Sequence, residues 1–480
     1  MITFTCCLIA LIVGYFTYGE FVERVFGVDP SRVTPAFTKQ DGVDYIPLPT
    51  WKIFMIQFLN IAGLGPIFGA IMGAKFGVAS FLWIVLGSIF AGVTHDFLSG
   101  MLSLRHDGES LPELIGRYLG NNFKQFMRGF TVILMILVGA VFVAGPAGLL
   151  AKLTPEYLDA TFWIIVVFIY YILATLLPVD KIIGKIYPLF AIALLFMAVG
   201  ILVMLFINQP PLPEITDGLS NTHPGGLPIF PIMFVSIACG AISGFHATQS
   251  PLMARCMKSE KYARPVFYGA MITEGIVALI WAAAAMGVYN LGLQEGNASL
   301  ATGTIGVVCK YVLGNVGGII ALIGVIVLPI TSGDTALRAL RMSVADALHL
   351  DQKSVVKRVG LAAIIFALVA VILVFAKSNA DGFNILWRYF AWSNQTLSLF
   401  AFLAITIWMF ETGRGKYAWM PLIPGTWYTF VTVTYIVNAK IGFNVPWTAA
   451  YIIGVVVAAA YLFILIWYGK KREALKAQKK

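Results

Sequence analysis

Glu274 is the residue best placed to do chemistry in this chain. It stands about nine residues into the apolar run 265–290, near mid-depth if that run crosses a membrane. A charge there costs about 2.5–3.5 kcal/mol on insertion scales, so an acid at that depth invites a functional role. Reversible protonation is the chemistry it suits; a structural hydrogen bond to a neighbouring helix is the alternative. Asp96 follows His95 at the end of the run 76–104, with Arg105, His106 and Asp107 beyond it. It suits ion or proton carriage, or an interfacial ion pair with an arginine. His246 follows Ser243-Gly244, and an imidazole titrates near neutral pH. It reads equally as a fixed ring donating to a backbone carbonyl.

Oxygen and amide groups add to this set. Thr331 and Ser332 precede Gly333-Asp334, and hydroxyls with freed carbonyls are ligands for a hard cation. The competing reading ends the helix at Gly333 and starts the next segment at Asp334. Asn394 and Gln395 follow Ser393 beside Trp387 and Trp392. Amides in lipid must find partners, so these two either line a substrate path or stitch helices together. Gln57 and Asn60 lie just before a Gly/Pro interruption and face the same cavity in this reading.

Other chemistries lack their signatures. There is no H-E-x-x-H and no G-x-S-x-G, and the five histidines lie far apart in sequence. The five cysteines form no C-x-x-C pair and show no metal-ligand spacing, so they read as small packing residues. No enzyme activity, cofactor or metal is expected. Only 12% of the residues are charged and 59% are hydrophobic. Soluble domains run at about 25% and 45–50%, so this composition excludes a soluble enzyme and a disordered chain.

These residues must therefore be positioned by membrane helices. Runs of about 20 apolar residues cross the hydrocarbon core. Thirteen are read, at 2–20, 51–72, 76–104, 126–151, 159–178, 187–208, 229–250, 265–290, 313–333, 356–377, 384–410, 426–440 and 446–469. The stretches 21–50 and 334–355 read as polar loops, and the first run reads as a retained span. Lys and Arg decide the orientation. Of 33, 27 fall in the alternate loops beginning with 21–52 and six in the opposite set. That puts the N-terminus outside and the C-terminus in the cytoplasm. It also assigns the formal charge of +10 to a membrane surface, with no nucleic-acid partner.

Two spans are interrupted alike. Run 51–72 holds Gly63-Leu64-Gly65-Pro66 and Gly69, and run 229–250 holds Gly240-Ala241-Ile242-Ser243-Gly244. Glycine costs about 1 kcal/mol and proline about 3 kcal/mol inside a helix. Such breaks survive in lipid only where they face protein or a wet cavity. Five spans separate their starting points, so the two cross in opposite directions. The expected fold is an all-α integral membrane protein of about 13 transmembrane helices with a 5+5 inverted-repeat (LeuT-like) core. It forms one transmembrane domain, with an extra helix and loop over 1–50, repeats over 51–208 and 229–410, and C-terminal helices with a basic tail over 411–480. Paired broken helices point to a transporter site for a small molecule. Close packing through glycine is the competing reason for such residues.

The order of Gly63-Leu64-Gly65-Pro66, Gly69, Asp96-Phe97, Arg105-His106-Asp107-Gly108, Ser110-Leu111, Ser243-Gly244-Phe245-His246-Ala247, Thr331-Ser332-Gly333 and Ser393-Asn394-Gln395 resembles the carbon starvation protein A (CstA) family. The resemblance covers about 50–410. It implies a bacterial inner-membrane transporter similar to the amino acid–polyamine–organocation superfamily, taking up peptides or, in some members, pyruvate during nutrient limitation. Proton coupling is the usual expectation. The family's motif residues map onto Gly63, Gly65, Pro66, Asp96, Ser243, Gly244, His246, Thr331, Ser332, Asn394 and Gln395. Three departures lie near the expected cavity and bear on the substrate: Gly69-Ala70 where Gly-Pro is frequent, His95 where glutamine is common, and Ala247-Thr248-Gln249-Ser250-Pro251 after His246. The chain is also shorter than the longest members. The reading is a secondary active importer of peptides or a 2-oxo acid. Gly63, Gly65, Pro66, Ser243, Gly244, His246, Asn394 and Gln395 are expected to bind substrate. Glu274 or Asp96 is expected to carry the coupling proton, with Thr331 and Ser332 in support. A cation-coupled amino-acid-type symporter is the alternative, and a channel, an intramembrane enzyme and a starvation sensor are more distant ones.

Overall fold

The computed structural model describes all residues except 177–182, 295–300, 352–353, 380–381 and 479–480. Lys181, Lys353, Lys479 and Lys480, counted above among the cytoplasmic basic residues, lie outside the described residues. All regular structure among the described residues is helical. Each of the thirteen apolar runs falls on a helix or an interrupted helix. Among the described residues, nine helices are long and apolar enough to cross a membrane, and ten are if one bent pair counts as a single span. The runs at 159–178, 229–250 and 426–440 fall outside that set, being short, interrupted or too polar. The protein is a multi-pass membrane protein.

The bent pair is the first interrupted span. Helix Thr50–Ala62 stops, and the chain resumes at Gly65–Ala74, turned by 52°. Gly63 sits at φ +43°, ψ −147°, a conformation that residues with a Cβ rarely adopt. Pro66 then opens the second piece, where its missing N–H does no harm. The second interrupted span runs through the short helix Phe234–Ser236, unwinds over 237–243, and resumes at Gly244–Ala254.

The two interruptions lie against each other. A Cβ on Gly65 would come within 2.1 Å of Cys239 Cβ, and one on Gly69 within 2.7 Å of the Ser236 carbonyl. Glycine is needed at both positions because two main chains meet there at contact distance.

One expected loop is a helix. The polar stretch 334–355 continues the helix Ala301–Leu348 without ending at Gly333. Gly333 lies flat against the Tyr171 ring, where a Cβ would sit 2.1 Å from the phenol oxygen. The continuation buries Arg338 and Arg341, two of the residues assigned to that loop. Their partner is Asp44, from the segment before the first interrupted span, at 3.4 and 3.6 Å. Arg255 joins this layer, 3.1 Å from Asp346 and donating to the Gly108 carbonyl. Burial alone would push the Asp44 carboxyl up, but Arg341, Arg338 and Arg255 together hold it below its ordinary 3.8.

Both packing features can be tested by melting in detergent. Gly65→Ala should lower the melting temperature by the equivalent of about 1–3 kcal/mol, the usual cost of overpacking. Gly129→Ala, where a Cβ meets nothing within 4 Å, should leave it unchanged. Asp44→Asn should cost about 3–5 kcal/mol at neutral pH, because it strands buried guanidinium charge. A carboxyl with a lowered folded pKa stabilises fully above its unfolded value and loses that contribution as pH falls through the folded one. The gap in melting temperature between wild type and Asp44→Asn should therefore close below pH 3.8.

Candidate functional site

The second interruption is held open from outside its own helix. Asn394, on the helix Gly382–Glu411, turns its Oδ1 to the new helix start at Gly244. That oxygen accepts from Ser243 Oγ at 2.9 Å and from the Phe245 N–H at 2.7 Å. Asn394 thus supplies the oxygen that an N-cap residue normally contributes from within the chain. Gln395 donates to the Phe234 carbonyl at 2.5 Å, satisfying the other end of the break. Gly244 allows this approach, since a Cβ there would sit 2.4 Å from the Asn394 carbonyl. At the first interruption Ser332 plays the matching part. Its Oγ donates to the Leu59 carbonyl at 2.6 Å and accepts from the Gly63 N–H at 3.0 Å.

Below these caps lies a chain of four titratable side chains, all fully buried. His95 and Asp96 come from the helix Val93–Arg105, His246 from Gly244–Ala254, and Glu274 from Ala270–Asn290. His95 Nδ1 is 2.7 Å from Asp96 Oδ1, and His246 Nδ1 is 2.8 Å from Asp96 Oδ2. When Asp96 is ionised it only accepts, and both Nδ1 atoms then carry the hydrogen. His246 Nε2 then faces Glu274 Oε2 across 3.3 Å. Neither Nε2 nor either Glu274 oxygen has a hydrogen-bond partner. The arrangement thus sets a carboxyl and an imidazole nitrogen face to face, with a second carboxylate on the far side of the ring. Cys239 Sγ, a ring nitrogen of His246 and a Glu274 oxygen lie within 4.8 Å of one another, the one such group among the described residues able to hold a metal ion.

Four amide atoms, both from Gln57 and both from Asn60, are also buried without a hydrogen-bond partner. These side chains lie within two turns of the Gly63 break. An aromatic cluster joins the two interruptions: Phe68 packs near Trp387 at 5.5 Å, Trp387 near Phe390 at 5.4 Å, Phe390 near Phe142 at 5.7 Å, and Phe142 near Phe245 at 6.1 Å.

The family model for carbon starvation protein CstA matches residues 1–156, 150–302 and 282–435. The chain belongs to the CstA family. A membrane protein of Haemophilus influenzae is 44% identical over 340 residues, covering 60% of this chain and 92% of that one. The peptide transporter CstA of Escherichia coli is 25% identical over 90% of this chain and 81% of its own length. The pyruvate/proton symporter BtsT of the same organism is 28% identical over 56% of this chain and 46% of its own. Among solved structures, a mutant of the manganese transporter from Eremococcus coleocola superposes with a TM-score of 0.60. It covers 90% of this chain and 99% of that one at 12% identity, a likeness of fold alone. With these relatives the CstA-family chain is a membrane transporter.

The residues expected to bind substrate or carry the coupling proton divide between two places, with Thr331 in neither. Gly63, Gly65, Pro66, Ser243, Gly244, Ser332, Asn394 and Gln395 build and cap the two breaks. Asp96, His246 and Glu274 form the buried chain beneath them. Several readings of individual residues change. Asp96 has no arginine: Arg105 instead grips Glu260 at 3.0 and 2.8 Å, and two histidines hold Asp96. His246 lies between two carboxylates and not on a backbone carbonyl. The Thr331 hydroxyl is turned back onto its own helix, donating to the Leu328 carbonyl at 2.7 Å. The Thr331 carbonyl accepts from Tyr187 at 2.9 Å. Cys239, read as a packing residue, touches Asn394 Nδ2 and Ser243 Oγ, each at 3.5 Å. Asp334 is a further buried acid, met by the Tyr170 hydroxyl at 2.9 Å. Sequence carries no sign of it beyond its position after Gly333.

Asn394→Ala removes the cap from Ser243 and Phe245 together. The expected loss is about 0.5–2 kcal/mol, as for other N-caps. Asn394→Asp keeps the accepting oxygen but buries a charge that costs about 2.5–3.5 kcal/mol inside the membrane, so it should melt no higher than Asn394→Ala at neutral pH.

Proposed function

We propose that this CstA-family chain is a proton-coupled secondary transporter that imports peptides or a small carboxylate such as pyruvate across the bacterial inner membrane during carbon starvation. The observation that carries the reading is the buried chain His95–Asp96–His246–Glu274, lying at the junction of two interrupted spans. An intramembrane acid with an imidazole beside it is what proton carriage requires. The expected thirteen spans form a LeuT-like core in this reading, with repeats over 51–208 and 229–410, the N-terminus outside and the C-terminus cytoplasmic.

Substrate binds at the breaks 63–69 and 240–244, which touch in this structure and must part to admit it. Gln57 and Asn60 offer unused donors and acceptors to a peptide or carboxylate group, and the Trp387–Phe390–Phe142 cluster gives its apolar part a wall. Glu274 takes the coupling proton, and neutralising it lowers the cost of closing the site away from water. His246 receives that proton next, with Asp96 and His95 fixing its orientation. Ser332 supports the first break, and Thr331 beside it in sequence completes the expected support for the proton site. Coupling requires that proton and substrate favour the same closed state, so that each raises the other's affinity. The names of the Escherichia coli relatives, a peptide transporter and a pyruvate/proton symporter, support this choice of cargo and ion.

A cation-coupled symporter is the second reading; it requires the Thr331 and Ser332 oxygens to leave the backbone groups they bind here. Purified protein in proteoliposomes with an imposed inward proton gradient separates the two. Accumulation of short peptides or pyruvate should follow the proton gradient at constant sodium. Glu274→Gln should abolish accumulation while leaving exchange down a substrate gradient. Full gradient-driven accumulation by Glu274→Gln removes Glu274 from the coupling role.

A further inference from the structure

We propose that Cys239, His246 and Glu274 form a site for one divalent transition-metal ion of the zinc class, with a fourth coordination position left open. The three donor atoms come from two spans and approach within 4.8 Å of one another in a fully buried place. The His246 Nε2 to Glu274 Oε2 separation is 3.3 Å, and neither atom has a hydrogen-bond partner. Zinc bonds nitrogen and oxygen at about 2.0–2.2 Å in a tetrahedron, whose N···O edge is then about 3.3–3.5 Å. The pair is thus already spaced as two ligands of one ion. Sulfur completes the trio by a small inward movement of the Cys239 side chain.

The surrounding shell is the one such ligands need. A metal-bound histidine donates its other ring nitrogen to a carboxylate, which fixes the tautomer. Here His246 Nδ1 is 2.8 Å from Asp96 Oδ2, and Asp96 is itself held by His95 at 2.7 Å. The Asn394 amide lies 3.5 Å from Cys239 Sγ and donates toward it, which suits a thiolate. Thiolate plus carboxylate cancels the ion's two charges, so the loaded site adds no net charge to the interior. A set of sulfur, imidazole and one carboxylate selects zinc-like ions over magnesium or calcium. The inference rests on this geometry and not on the transport reading. A metal on Glu274 and His246 would also occupy the atoms that the coupling proton needs.

The test uses the full purified chain in detergent, stripped of metal with a chelator and then dialysed. Cobalt(II) is the probe, because a tetrahedral thiolate site gives visible d–d bands and a near-ultraviolet sulfur-to-metal charge-transfer band. Saturation at one equivalent is expected, with zinc displacing the cobalt and raising the melting temperature. Cys239→Ser should abolish the charge-transfer band, and Glu274→Gln should weaken binding at least about tenfold. Asp96→Asn should weaken it about 10–100-fold, the usual effect of removing an outer partner. A charge-transfer band that persists in Cys239→Ser would place the ion on another cysteine and overturn the proposal. So would a chain that takes up neither cobalt nor zinc. Metal-free melting curves show which variants fold, and the near-isosteric Cys239→Ser decides the matter if Glu274→Gln does not. No substrate or gradient enters the measurement, so its failure leaves the proton-coupling proposal standing, and the converse holds.

Discussion

Backbone amides and carbonyls cannot be left bare in hydrocarbon, and the centre of this molecule is organised by that constraint. Two spans stop being helical in mid-course. Each break frees N–H and C=O groups, and each is repaired by a side chain reaching across from another helix. Ser332 spans the first break by binding Leu59 and Gly63 at once. Asn394 and Gln395 do the same for the second. The repairs make the breaks tolerable, and they also tie the first interrupted span to the helix of Ser332 and the second to the helix of Asn394. Any movement of one element past another must exchange these hydrogen bonds, and a limited set of such exchanges is how packed cores come to have discrete states.

Much of this is legible in the sequence, for particular reasons. The spans follow from runs of apolar residues, and the breaks from Gly63-Leu64-Gly65-Pro66 and Gly240 to Gly244, because glycine and proline act on the backbone locally. Glu274 stands out because an acid in an apolar run has no bland local explanation. Partnerships across the fold are harder to read. Nothing in the spacing of His95, Asp96, His246 and Glu274 says that they meet, since three separate helices bring them together. Cys239 is invisible as a chemical group for the same reason: metal-ligand spacing is a local signature, and this cluster is assembled by packing. The stretch 334–355 misleads because Asp334, Arg338 and Arg341 look like loop residues by charge alone. Their helix is buried, and the charges are answered by Asp44 and Tyr170 from distant segments.

The molecule thus holds two buried polar layers built on different principles. The layer of Asp44, Arg338, Arg341 and Arg255, with the part-exposed Asp346 at its edge, uses guanidinium groups, which do not give up their protons at any relevant pH. Its positive charges are fixed, and its strength comes from their attraction to carboxylates in a poorly screened place, lost only when acid protonates Asp44. A layer of that kind holds one arrangement until segments move apart.

The layer of His95, Asp96, His246 and Glu274 contains no arginine or lysine. Every member can change its charge by one proton, and His246 Nε2 faces Glu274 Oε2 without a hydrogen bond between them. In the proposed roles its preferred geometry would depend on how many positive charges, protons or a metal ion, are bound within it. That is the physical difference between a clasp and a sensor. The two lie on connected elements: His246 and Arg255 sit on and just after the same short helix, Gly244–Ala254, which begins at the Asn394 cap. A change in charge at His246 bears on the start of that helix, and the arginine layer bears on its end. Among the described residues that helix joins His246, the second backbone break and the arginine layer, so a shift of its position at one of them must be opposed or assisted by the other two.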